Sequence, residues 1–121
     1  MSRKIHALLS KDAQNEIALF QQSFVEELQC MINNFDIVVI GVQLSSKNRQ
    51  VSSLLQATNH TVKELYLRPW MMDKHKKLAV MLWSGWPTFP QIFIRGMLIG
   101  GEQELRRTIQ NGELDHRLAS K

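Results

Sequence analysis

The first long pattern in the chain is a set of apolar residues spaced mostly three and four positions apart. It runs from about Lys11 to Asn33, and a helix places such positions on one face. Ser10 or Asp12 offers a side-chain oxygen that can cap the start of this helix. The helix is about 30 Å long if unbroken, and the alternative is two shorter helices. The apolar positions are Ile17, Phe20, Phe24, Leu28, Met31 and Ile32.

Two strands and two helices then alternate. Residues 36–42 are mostly apolar and β-branched, which is typical of a strand buried on both faces. Residues 47–57 carry apolar side chains at helical spacing, and residues 61–67 predict a second strand that Pro69 ends. Residues 72–83 predict another helix. Its side chains available for packing are Leu78, Ala79, Met81 and Leu82.

The last third of the chain predicts a hairpin followed by a helix. Residues 91–95 and 97–99 are short apolar strands around a glycine. The Gly100-Gly101 pair permits a tight turn into a helix over residues 102–110, and a short final helix begins at Glu113.

The order of these elements predicts the architecture. A strand, a helix and a second strand in succession favour a parallel pair with a right-handed crossover, and the closing hairpin adds antiparallel strands. The sequence therefore predicts an α/β fold of three layers in the thioredoxin-like arrangement. It has a mixed four-stranded sheet with helices on both faces and an extended N-terminal helix.

Composition limits the size and setting of the protein. With 121 residues, we expect one domain over residues 1–121, in which residues 1–35 hold an N-terminal extension and the first helix. No run of about 18 apolar residues exists, and no secretory signal is visible. The single cysteine, Cys30, excludes an internal disulfide and favours a reducing setting. We expect a cytoplasmic protein with no membrane partner.

Charge and histidine content add little chemistry. The formal charge of +4 comes from 15 basic and 11 acidic residues, which is typical of solvated surfaces rather than of a nucleic-acid interface. The four histidines lie far apart and show no metal-ligand spacing. We expect neither nucleic acid nor a metal ion as a partner.

The most informative stretch runs from Gly85 to Gly101. It reads G-W-P-T-F-P-Q, then a short apolar hairpin, then G-G. This stretch resembles the second half of a monothiol glutaredoxin, in which a W-P-T-x-P-Q strand is followed by G-G at a helix start. The resemblance covers about residues 36–114. It implies a thioredoxin-like fold, glutathione as cofactor and a role in redox homeostasis.

The resemblance also implies an active-site cysteine at the start of the helix that follows the first strand. Unpaired N–H groups at that position lower the pKa of a thiol. The family's C-G-F-S motif aligns with Ser45-Ser46-Lys47-Asn48, so Ser45 takes the place of the cysteine and Asn48 that of the motif's serine. A serine hydroxyl cannot form a disulfide with glutathione. We therefore expect no catalytic residue here and no thiol–disulfide exchange.

The same substitution affects the family's [2Fe-2S] cluster, which two subunits hold through that cysteine and glutathione. Iron–sulfur clusters prefer thiolate ligands, and serine is a poor substitute. The family's lysine near the end of the first strand aligns with Val42 or Gln43, and neither is a cation. We do not expect this chain to bind a cluster.

The family's glutathione groove is the part that survives. Thr88-Phe89-Pro90 matches the segment before a cis-proline along which glutathione lies, with Phe89 offering its backbone N–H and C=O. Gly101, Glu102 and Gln103 match the helix start that receives the γ-glutamyl carboxylate. The family's aspartate is Gln103 here. Lys77 stands roughly where a family cation meets the glycine carboxylate.

Two hypotheses follow. The first is a non-catalytic module that binds glutathione or an extended peptide, with a protein partner expected; a groove that binds nothing would make it a purely structural subunit. The alternative is a glutaredoxin-type redox or [2Fe-2S] protein that takes a thiol from Cys30, glutathione or a partner. Cys30 falls away from the Phe20-Phe24-Leu28 face of its helix.

Overall fold

The computed structural model describes residues 10–119, which form five helices and four strands. Each predicted element is present, and its ends lie within two residues of the prediction. The elements are α1 (Lys11–Asn34), β1 (Ile37–Val42), α2 (Lys47–Gln56), β2 (Val62–Leu67), α3 (Lys74–Ser84), β3 (Gln91–Ile94), β4 (Met97–Gly100), α4 (Glu102–Gln110) and α5 (Glu113–Ala119).

The sheet has the strand order β2-β1-β3-β4 and is mixed, as predicted. β1 and β2 run parallel, with Val42 opposite Leu67 at their carboxyl ends. β3 runs antiparallel to β1, with Gln91 opposite Ile40, and β4 runs antiparallel to β3. The ends of β1 and β2 and the start of β3 therefore lie at one end of the sheet, which we call the site end.

Helices cover both faces of the sheet. Alternate residues of β1 point to opposite faces, so the near-continuous apolar run serves two cores. One core joins α1 and α3 to the sheet through Leu28, Val38, Ile40, Val80 and Phe93. The other joins α2, α4 and α5 to the sheet through Val39, Leu55, Ile92, Leu105 and Leu114.

The first helix is unbroken, and Ser10 caps it by accepting a hydrogen bond from the Ala13 N–H at 3.0 Å. The predicted inward position of Phe20 is wrong, because this side chain is 46% exposed and burial on α1 begins at Phe24. No helix in the described part of the chain is long and apolar enough to cross a membrane.

The prediction was also wrong for the outer side of α3. Leu78 and Leu82 are exposed, whereas Ala79 is buried as predicted, and Val80, which was not predicted to pack, is fully buried. Trp83 stacks on Phe93 of the sheet with ring centroids 5.7 Å apart, and this contact fixes which side of α3 faces inward.

Candidate functional site

A polar cavity of about 230 Å³ lies at the site end. The loop that precedes β3 and the start of α4 form most of its wall. Six of the seven predicted binding residues meet here, namely Thr88, Phe89, Pro90, Gly101, Glu102 and Gln103. Segments far apart in sequence thus come together because β3 begins and β4 ends at the same end of the sheet.

The loop before β3 is held by polar contacts to its neighbours. Gly85 ends α3 with a φ of 75°, a conformation that glycine adopts without steric cost. The Trp86 N–H then donates to Ser84 Oγ at 3.1 Å, and the buried Gln91 amide donates to the Trp86 carbonyl at 2.9 Å. The Phe89–Pro90 peptide bond is cis, as the resemblance implied.

The start of α4 carries its own anionic cap. Glu104 accepts a hydrogen bond from the Gly101 N–H at 2.9 Å, which is the return half of a capping box. Gly100 has a φ of 119°, and a Cβ there would lie 2.7 Å from Glu104 Cγ. The Gly101 amide is therefore already occupied. The amides of Glu102 and Gln103 remain as first-turn donors without an intrahelical acceptor.

The charges around the cavity are partly neutralised within the protein. Glu102 pairs with Arg106 one turn along α4, and Glu104 is engaged with the Gly101 amide. Lys47, at the start of α2, is the basic residue among those that line the cavity.

The turn that holds Ser45 is built by local hydrogen bonds. Ser45 Oγ accepts from the Lys47 N–H at 3.3 Å, and the Ser45 carbonyl accepts from the Asn48 N–H at 3.2 Å. The Asn48 side chain donates to the Val42 carbonyl at 2.8 Å, which ties the start of α2 to the end of β1. Both Ser45 and Asn48 therefore stabilise the strand-to-helix turn.

Gly41 leaves room for the side chains beside this turn. A Cβ at Gly41 would lie 2.9 Å from the Tyr66 ring and 3.0 Å from Asn48 Oδ1. The pKa of Tyr66 is raised mainly by burial, and to a lesser extent by the hydrogen bond that its hydroxyl donates to Glu64. The glycine thus permits an aromatic ring to pack against β1 next to the start of α2.

Lys77 does not join the other predicted residues around the cavity. Its ammonium donates to the carbonyls of Trp70 at 2.8 Å and Met72 at 2.9 Å. The Lys77 ammonium therefore stabilises the loop before α3 and does not line the cavity.

Cys30 is exposed, and Asn34 donates to its sulfur at 3.4 Å. It lies near the end of α1, beside the amino end of β1, whereas the cavity lies beyond the carboxyl end of that strand. A six-residue strand spans about 20 Å. Among residues 10–119, no group of three or more His, Cys, Asp or Glu side chains is arranged to hold a metal.

Three residues of the cavity wall were not predicted as binding residues, namely Lys47, Trp86 and Glu104. Lys47 and Trp86 belong to motifs that the sequence did single out, but the side chains' direction could not be read from their spacing. The Trp86 Nε1 is buried and has no hydrogen-bond partner among the described residues. For Glu104, the available signal was its place three residues after the helix start.

The chain is similar in sequence to known glutaredoxins. The chain is 25% identical to a glutaredoxin-like protein of Dictyostelium discoideum over 99% of this chain and 98% of that protein. It is 31% identical to the mitochondrial monothiol glutaredoxin-S15 of Arabidopsis thaliana over 86% of this chain, and it spans about half, 51%, of that relative's length. No family model matches the chain.

Solved structures agree with these relatives. A buckwheat glutaredoxin–glutathione complex superposes with a TM-score of 0.74 at 21% identity, over 82% of this chain and 90% of that one. The chain is therefore a glutaredoxin-like protein with the thioredoxin fold.

Proposed function

We propose that this protein binds glutathione, or an extended peptide of similar chemistry, in the cavity at the site end and does not carry out thiol–disulfide exchange there. The observation that carries the proposal is the convergence of Thr88, Phe89 and Pro90 with the start of α4 around one cavity. The buckwheat glutaredoxin is solved with glutathione, which supports the same ligand for this chain.

The cavity suits a peptide with anionic ends. The backbone of Phe89 can pair with an extended ligand as a neighbouring strand does. The amides of Glu102 and Gln103, at the positive end of the α4 dipole, suit a carboxylate. Lys47, another residue of the lining, adds a cation. Glutathione, with two carboxylates on an extended backbone, has this chemistry.

The absence of exchange chemistry rests on Ser45. We place it where the family has its nucleophilic cysteine, since it begins the turn into α2 after β1. A hydroxyl at a helix start stays protonated at neutral pH and cannot form a disulfide. Its Oγ instead accepts from the Lys47 N–H. The side chains that line the cavity include no thiol, so they do not fit a [2Fe-2S] cluster.

A redox role would need a thiol from elsewhere. Cys30 lies near the other end of β1 and is not a source for this cavity within one molecule. Glutathione or a partner remains as the source in that alternative hypothesis. The cytoplasmic location also stays a prediction, since the Arabidopsis relative is a mitochondrial protein.

The proposal is tested by restoring the thiol. Wild type should reduce bis(2-hydroxyethyl) disulfide with glutathione at the background rate, and Ser45→Cys should exceed that rate by about tenfold. Ser46→Cys, one residue along the same turn, is the matched control and should stay at background. Activity in wild type that Cys30→Ser abolishes would contradict the proposal and support the redox hypothesis.

A further inference from the structure

The loop between β2 and α3, residues 68–73, displays large apolar side chains to solvent. Trp70 is 78% exposed and Met71 is 73% exposed. Trp70 also has a φ of 57°, a left-handed conformation that bulky residues rarely adopt. Packing does not account for a strained aromatic residue in water, and such strain persists where the surroundings impose it.

Internal bonds hold this loop in shape. The Arg68 guanidinium donates to both carboxylate oxygens of Asp73, at 3.1 and 2.9 Å, and the Arg68 N–H donates at 2.8 Å. These bonds hold the pKa of Asp73 at about 2. From the helix side, Lys77 binds the carbonyls of Trp70 and Met72. These bonds therefore fix the loop with its apolar side chains facing solvent. Because the loop is already ordered, less conformational entropy is lost when it binds.

A second loop presents an apolar residue at the same end of the sheet. Leu44, in the loop of residues 43–46 after β1, is 80% exposed and has a φ of 69°. The Gln43 N–H donates to the Leu67 carbonyl at 2.8 Å, which joins this loop to the end of β2. Both loops thus leave neighbouring parallel strands at the site end.

The charges exposed around the two loops are mainly positive. The acidic groups there are engaged within the protein: Asp73 with Arg68, Glu102 with Arg106, and Glu104 with the Gly101 amide. Outside these pairs, the exposed basic side chains of the same end are Lys47, Arg49 and Lys74.

We propose that the site end docks on an anionic lipid surface, with Leu44, Trp70 and Met71 entering the interface and the surrounding cations meeting the headgroups. The polar groups of residues 68–73 are bonded to one another or to Lys77, so the loop itself offers apolar side chains. The flexible cations beside it are Lys47, Arg49 and Lys74. Neither needs a partner of fixed geometry, which favours a fluid bilayer over a protein cleft. Tryptophan is suited to the membrane–water interface, and basic residues are attracted to anionic headgroups.

This inference goes beyond the proposed binding of glutathione and does not depend on it. The sequence led us to expect no membrane partner because no segment can span a bilayer. Docking on the surface needs no such segment, and the exposure of Trp70 and Met71 was not visible in the sequence.

The test is flotation of the full chain with vesicles of phosphatidylcholine containing about 30 mol% phosphatidylserine, against phosphatidylcholine alone, at low ionic strength. Wild type should bind the anionic vesicles about tenfold more than the neutral ones. The double variant Trp70→Ser/Met71→Ser should lose about tenfold of that binding. Leu82→Ser is the matched control, because Leu82 is 72% exposed in a different groove, between α1 and α3.

Several results would overturn the inference. These are no binding to anionic vesicles, full binding by the double variant, or an equal loss in Leu82→Ser. A change in oligomeric state in the double variant without a change in vesicle binding would assign the surface to a second copy of the chain instead. Amide spectra of each variant establish that it is folded.

Discussion

The side chain of Gln91, fully buried at the first position of β3, donates a hydrogen bond to the backbone carbonyl of Trp86 at 2.9 Å. This bond closes the loop that contains Thr88, Phe89 and Pro90. One wall of the cavity therefore depends on a buried amide that does not itself line the cavity.

Replacing Gln91 should loosen that wall. Gln91→Leu removes the donor and leaves the Trp86 carbonyl without it, so we expect a loss of about 1–3 kcal/mol in the free energy of unfolding. Urea denaturation measures the loss. Thr108→Val is the control, because Thr108 is also buried but donates only within α4, to the Glu104 carbonyl at 2.7 Å. An equal or larger loss in the control would contradict the role given to Gln91.

The turn into α4 should not tolerate a side chain at Gly100. Alanine there would bring a Cβ within 2.7 Å of Glu104 Cγ at a φ of 119°. Gly112→Ala is the matched control, since Gly112 also has a positive φ, of 77°, but nothing lies within 4 Å of its Cβ position. We expect about 1–2 kcal/mol of destabilisation for the control and at least about 1 kcal/mol more for Gly100→Ala. Equal thermal unfolding of the two variants would refute this.

The cap at Gly101 can be tested through Glu104. Glu104→Ala leaves the Gly101 N–H without its acceptor, so we expect a loss of about 1 kcal/mol in unfolding free energy. Glu104→Gln retains a side-chain oxygen and should lose less. If glutamine and alanine destabilise the protein equally, the hydrogen bond is not the source of the effect.

The contact between Arg68 and Asp73 predicts a pH dependence. Hydrogen bonds from the Arg68 side chain and backbone lower the pKa of Asp73 from 3.8 to about 2 in the folded protein. Because the folded pKa is the lower one, this contribution to stability is present above pH 4 and is lost as the pH falls toward 2. Asp73→Asn should be less stable than wild type at neutral pH, and the difference should shrink over that range. A constant difference in denaturation midpoint between pH 7 and pH 2 would disprove it.

The fold was largely predictable because each element carries a strong local signal. The period of α1, the β-branched run of β1 and the glycines before α4 fixed the order of elements and their ends. The errors concern which side of a helix faces the core, not where the helix begins or ends. Phe20 and Leu82 are exposed because contacts such as that of Trp83 with Phe93 decide which side of a helix faces inward, and sequence spacing does not show them.

The candidate site was predictable where it depends on backbone. Phe89, Pro90 and Gly101 contribute main-chain geometry, which the motif specifies. Side chains were harder to place: Lys77 bonds the loop before its own helix, and Lys47 reaches the cavity instead. A lysine side chain is long enough to reach several acceptors. Its direction therefore depends on backbone carbonyls that come together only when the loop folds.

The most direct test of the account is an amide NMR titration with reduced glutathione, repeated with S-methylglutathione. The account predicts shifts at Phe89, Glu102 and Gln103 with both ligands, because binding needs no thiol chemistry, and none around Cys30. No shifts at millimolar concentrations of either ligand would contradict it. Shifts with reduced glutathione alone would point to a role for the ligand's thiol.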